Sequence, residues 1–123
     1  MDLTDDARMG FHIIRAGDLD VIGIEAAVDR VRQRVGDLPV YLSIDIDVLD
    51  PAFAPGTGTP EVGGFTTREA LELLRGLKGL NFVGGDVVEV APQYDATANT
   101  AQAGAQMLFE ILSLLVFSPA VKA

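Results

Sequence analysis

Residues 40–64 read VYLSIDIDVLDPAFAPGTGTPEVGG, a short alternating run that breaks into a long loop rich in proline and glycine. In the run, Leu42, Ile44, Ile46 and Val48 alternate with Tyr41, Ser43, Asp45 and Asp47. This is the period of two that a β-strand imposes, one face apolar and the other polar. From Pro51 to Gly64, three prolines and four glycines exclude both a helix and a central strand. Loops of this length tend to be functional or disordered, and alternating Gly and Thr fit backbone shaped around a ligand better than a flexible linker.

Working outward, Ile24, Ala27, Val28, Val31 and Val35 recur at helical spacing until Gly36, a C′ residue, with Asp18 or Asp20 available to cap the start. Before them, Phe11 to Ala16 reads as a strand. After the loop, Thr66 and Glu69 form a capping box that opens a helix with Ala70, Leu73, Leu74 and Leu77 in one stripe, closed by Gly79. Asn81 to Val90 is rich in β-formers, Pro92 breaks it, and a helix follows from about Asn99 to Phe117. Its predicted buried face is Ala101, Ala105, Leu108, Ile111, Leu112 and Leu115. The order β, α, β, loop, α, β, α predicts an α/β fold of about three neighbouring parallel strands flanked by helices. Three strands make a thin sheet, so further strands are expected from elsewhere in the protein or from another chain.

Composition bounds the chemistry. The 123 residues make one domain's length, short of the roughly 250 to 300 of large enzyme domains. At 49% hydrophobic the chain buries enough apolar surface to fold. A formal charge of −9 is the wrong sign for phosphate backbones or anionic lipid, so neither nucleic acid nor membrane is an expected partner, whereas cations suit it. The absence of cysteine removes thiolate zinc sites, disulfides and cysteine nucleophiles. His12, the only histidine, cannot supply a two-histidine metal site, and its place inside the first predicted strand suggests a structural role. The acidic N-terminus reads as no signal peptide, and Met107 to Phe117, interrupted by Glu110, is too short to span a bilayer. The expected setting is the cytoplasm.

Asp45 and Asp47, two apart on one strand, are expected to project into a common space, where two carboxylates repel unless something positive lies between them. A divalent manganese or magnesium ion is the simplest answer, and a pair of ions held by carboxylates generates hydroxide at neutral pH. The other reading is a pair of acids that cap the next turn or meet a lysine. Their position at the C-terminal end of a parallel strand, just before the Gly and Pro loop, favours the metal, because open α/β sheets bind ligands there. Glu89 stands at the end of the next strand, at the same rim, with simple solvation as its alternative; Asp50, before Pro51, reads as a turn former.

The stretch Ser43 to Gly64, SIDIDVLDPAFAPGTGTPEVGG, resembles the C-terminal signature of the manganese-dependent ureohydrolases, the arginase and agmatinase family, with AFAPGTGTPE nearer the agmatinase form. The similarity continues through TTREALELLRGL, DVVEVAPQYD and the last helix. It covers this chain but only part of the family, whose first half carries GGDH-type and DAHxD-type motifs that do not occur here. The resemblance implies a three-layer αβα sandwich around a parallel sheet, with residues 1–123 forming the C-terminal portion of a single domain. It also implies hydrolysis of a small cationic guanidino compound to urea and an amine, with two manganese ions in the complete site. Asp45 and Asp47 match two metal-ligating aspartates, and Glu89 matches the glutamate that orients the guanidinium. No complete catalytic set is implied within this chain, because the family's proton-shuttling histidine is unmatched by His12. Val62, where agmatinases often carry proline, and Gln93 are small departures. The chain is expected to be inactive alone and to associate as a homo-oligomer or with a complementary chain. A different reading is a non-catalytic remnant or interaction module that captures such a chain.

Overall fold

The computed structural model describes residues 3–122; Met1 and Asp2 of the acidic N-terminus, and Ala123, lie outside it. The elements are α1 (Leu3–Arg8), α2 (Ala16–Val35), β1 (Val40–Asp45), α3 (Thr67–Gly76), β2 (Phe82–Val88), α4 (Asn99–Val116) and α5 (Pro119–Lys122), with 3-10 turns at Ile46–Val48 and Pro92–Tyr94. β1 and β2 pair in parallel, Ser43 opposite Asp86 and Asp45 opposite Val88. The α/β class with a parallel sheet is therefore as expected, built among the described residues from two strands rather than about three.

The missing strand is Phe11 to Ala16. Residues 11–15 are irregular, and Ala16 already begins α2. Phe11 and Ile13 are exposed, with no strand beside them among the described residues. A β-rich run becomes a strand only when another strand takes up its backbone groups. α2 is entered through Asp18, whose carboxylate accepts the Arg15 N–H at 3.0 Å and pairs with its guanidinium. It breaks at Gly23, where φ is 78°, and ends at Gly36, whose N–H returns to the Arg32 carbonyl. The expected capping box on α3 is present in both directions: Thr66 Oγ1 accepts from the Glu69 N–H and Glu69 Oε2 from the Thr66 N–H.

Ile44, Ile46, Leu49, Ala54, Ala70, Leu74, Met107 and Ile111 form one core cluster, and Val28, Leu77, Leu80, Phe82 and Leu114 a second. The helices thus cover the sheet face carrying Leu42 and Ile44, while Tyr41 and Ser43 leave the other face exposed. Among the described residues this gives two layers, where the sandwich expectation has three.

The buried face of α4 differs from the expected one by one residue. Thr100, Gly104, Met107, Glu110, Ile111 and Leu114 point inward, whereas Ala105, Leu108 and Leu112 are exposed. One residue is a 100° rotation. The segment just after β2 comes so close that a Cβ on Gly104 would stand 3.1 Å from Val90 Cγ2, so small residues are needed at the contact and the larger leucines turn away. Glu110 is buried because Arg75 of α3 grips it at 2.7 and 3.2 Å, with Gln106 adding a third bond at 3.0 Å. No helix among the described residues is long and apolar enough to cross a membrane.

Candidate functional site

β1 ends at Asp45, two residues short of Asp47. Asp47 lies instead in the 3-10 turn Ile46–Val48, and its N–H donates to Asp45 Oδ1 at 3.2 Å. The two acids are therefore neighbours through a turn and not through the pleat. Val48 is accordingly exposed and Leu49 takes the inward position. Capping and metal binding, set apart as alternatives by the sequence, are compatible here: Asp45 caps with one oxygen and keeps the other.

The loop is fastened at both ends. Asp50 N–H donates to the Phe65 carbonyl and Phe65 N–H to the Val48 carbonyl, both at 2.9 Å. Asp50 is the turn former expected of it, accepting from Ala52 N–H at 2.9 Å and Gly63 N–H at 2.8 Å, and these donors hold its carboxyl below the usual range. Inside the loop Thr59 Oγ1 donates to Asp47 Oδ2 at 2.8 Å, which aims the second aspartate. The Gly and Thr alternation signalled a shaped loop, but nothing in the spacing signalled this bond.

Glu89 follows Val88, the partner of Asp45, and is exposed. Its φ of 64° is left-handed, a conformation costing a non-glycine residue about 1–2 kcal/mol, and such strain gathers at functional positions. Asp45 is pushed above the usual carboxylate range, first by burial of its carboxyl and further by the charges of Asp47 and Glu89. A divalent cation removes that repulsion, so these hard oxygen donors suit one in kind. They are short in number: among the described residues no group of three or more His, Asp or Glu stands ready to hold a metal. The aspartates thus fit a metal as part of a larger ligand set.

On the same polar face, Asp86 accepts from Ser43 Oγ at 2.7 Å and Tyr41 Oη at 2.8 Å. The hydroxyls hold Asp86 low, Ser43 foremost, and Asp86 in turn raises Tyr41. This cross-strand pairing was not visible in the sequence, because it depends on register. His12 is exposed, on a segment that contributes nothing to the carboxylate cluster.

Fold and cluster together define an α/β protein that gathers carboxylates at the C-terminal rim of a parallel sheet. The family model described as Arginase family matches residues 2–113, and the chain belongs to the arginase family. It is 60% identical to "Putative agmatinase 3" of Schizosaccharomyces pombe over 98% of its own length and 30% of the relative's. It is 51% identical to a guanidinopropionase of Pseudomonas aeruginosa, over 94% of this chain and 37% of that one. The solved proclavaminate amidino hydrolase of Streptomyces clavuligerus superposes with a TM-score of 0.88 at 43% identity, over 93% of this chain and 38% of that one. The chain thus spans about a third of the length of these relatives, and the family resemblance read from residues 43–64 holds.

Proposed function

We propose that this chain supplies part of the active site of a manganese-dependent ureohydrolase, which converts a small cationic guanidino compound and water to urea and an amine. Residues 1–123 are then one portion of a single ureohydrolase domain, incomplete and inactive without the remainder. The observation that carries this reading is the cluster itself: Asp45 and Asp47 joined in one turn, Asp47 aimed by Thr59, and Glu89 beyond the neighbouring strand end. The agmatinase, guanidinopropionase and amidino hydrolase names of its relatives support a guanidino substrate.

Asp45 and Asp47 would hold the metal, each having one carboxylate oxygen not taken up by its hydrogen bond within the cluster. Bound there, manganese supplies Lewis acidity and an acidified water. Thr59 keeps one Asp47 oxygen occupied, so the carboxylate cannot swing away from the rim. Glu89 accepts N–H donors from the guanidinium and neutralises its charge, which fixes the carbon that water attacks.

Urea release with agmatine, arginine and 4-guanidinobutyrate tests the reading, against an Asp45→Ala, Asp47→Ala control. The chain alone is expected to bind manganese weakly and release no urea; supplied with the remaining portion of the fold it releases urea and the control does not. Two tightly held manganese ions on the chain alone, or equal urea from the control, would sink it.

One observation favours a second reading, an association module. Each of the two strands has a free edge among the described residues, and Leu108, Phe109 and Leu112 are exposed on α4. Such surfaces predict self-association or capture of a complementary chain. A monodisperse monomer by light scattering at high concentration counts against it.

A further inference from the structure

Gly56 is where three separated parts of the chain meet. Its N–H donates to Thr100 Oγ1 at 2.7 Å, and its carbonyl accepts the Ala91 N–H at 2.8 Å. Thr100 is fully buried in the first turn of α4, and its own N–H, with that of Ala101, donates to Asp95 Oδ2 at 2.9 and 3.2 Å. The junction has no slack. A Cβ on Gly56 would stand 2.4 Å from Asp95 Cβ and 3.0 Å from Thr100 Oγ1, so only glycine allows the approach.

The two chain segments that meet at Gly56 lead to the carboxylate cluster. Three residues after Gly56 in the loop, Thr59 grips Asp47. Two residues before Ala91, at the end of β2, stands Glu89 in its left-handed conformation. One glycine therefore ties the arm that aims Asp47 to the arm that carries Glu89, and one buried hydroxyl anchors that glycine to a helix. A β-branched side chain has few rotamers in a helix, which makes Thr100 a stiff anchor. A buried N–H deprived of its acceptor is costly, so the Gly56 amide has strong reason to stay with Thr100.

We infer that Thr100 is a positioning residue, which through Gly56 sets Asp47 and Glu89 in one fixed register. Its functional meaning rests on the ureohydrolase reading; the mechanical coupling does not.

Amide hydrogen exchange on the protein as it is made, without added metal, tests the coupling. Thr100→Val is expected to raise exchange about tenfold at both Gly56 and Ala91, the scale of one lost buried hydrogen bond. Thr100→Ser, which keeps the acceptor, is expected to leave both near the wild-type rate. Faster exchange at Gly56 with Ala91 unmoved, or no change at either, overturns the inference. Should Thr100→Val lose its fold, Asp95→Asn carries the same test, since it leaves the Thr100 hydroxyl in place and weakens the cap beneath it. Both amides are then expected to quicken together by a smaller factor, and independent behaviour overturns the coupling. In a preparation that releases urea, Thr100→Val is expected to raise KM and lower kcat together, and Thr100→Ser to restore both; unchanged kinetics in Thr100→Val overturn the positioning role. Absence of urea from the wild type supplied with the remaining portion of the fold counts against the ureohydrolase reading and leaves the exchange result to decide the coupling.

Discussion

Replacing Glu110 by glutamine keeps the shape of α4's one carboxylate, which is buried, and removes its charge. The Glu110 side chain is 8% exposed and takes three donors, Arg75 Nη2 at 2.7 Å, Arg75 Nε at 3.2 Å and Gln106 Nε2 at 3.0 Å. Glutamine offers one acceptor oxygen and sets an NH2 against a donor of the guanidinium. Hydrogen bonds to charged groups contribute about 1.5–3 kcal/mol against about 0.5–1.5 for neutral ones. The Arg75 side chain is 63% exposed, so solvent screening cuts the difference. A net cost of about 1–2 kcal/mol remains, a fall in Tm of about 3–10 °C for a chain of this size. The sign of the pH dependence sharpens the test. Arg75 above all holds Glu110 below the usual glutamate range, against the opposing effect of burial. A lowered folded value contributes stability that is present above the unfolded value, about 4.3, and is lost as pH falls through the folded one. Calorimetric melting curves of wild type and Glu110→Gln should therefore lie apart at pH 7 and converge below about pH 4. The other paired carboxylates titrate alike in both proteins and cancel in the difference. Equal Tm at pH 7, or a gap that persists unchanged to pH 3, would refute the assignment.

Asp45→Asn should raise Tm slightly at neutral pH without metal, since burial and the charges of Asp47 and Glu89 disfavour its ionised form. The same variant should lose any thermal shift that manganese gives the wild type; a lower metal-free Tm would contradict this. Asp86→Asn should bring the Tyr41 hydroxyl back toward its ordinary value, read as an earlier ultraviolet tyrosine titration; an unchanged curve would mean that the bond is not formed in solution. Gly64→Ala should destabilise by about 1–3 kcal/mol, since the new Cβ would lie 2.6 Å from the Asp50 nitrogen and 2.7 Å from the Val48 carbonyl oxygen. Denaturant midpoints check it, and a neutral result would show that the loop base yields.

Much of the cluster was legible because its signals are local. Asp50 before Pro51 forms the expected turn, Thr66 and Glu69 cap one another as their spacing demands, and Asp45 and Glu89 do stand at adjacent strand ends. Asp47 was misjudged as a strand residue because the alternation of apolar residues runs on through Ile46 and Val48, while backbone pairing stops at Asp45. Thr59 was passed over because a threonine in a loop carries no period. Glu110 looked like a flaw in an apolar run, and its partner lies 35 residues away on another helix.

The sequence by itself determined the α/β class, the capping box of α3, the shaped loop and the acidic residues at its base, since each follows from backbone preferences and side-chain spacing over a few residues. Tertiary structure alone decided that residues 11–15 are no strand, which face of α4 is buried, how Ser43, Tyr41 and Asp86 meet, and that Gly56 joins Thr100 to Ala91. Those outcomes depend on groups separated by tens of residues competing for the same space and the same hydrogen bonds, and periodicity along the chain contains no term for that competition.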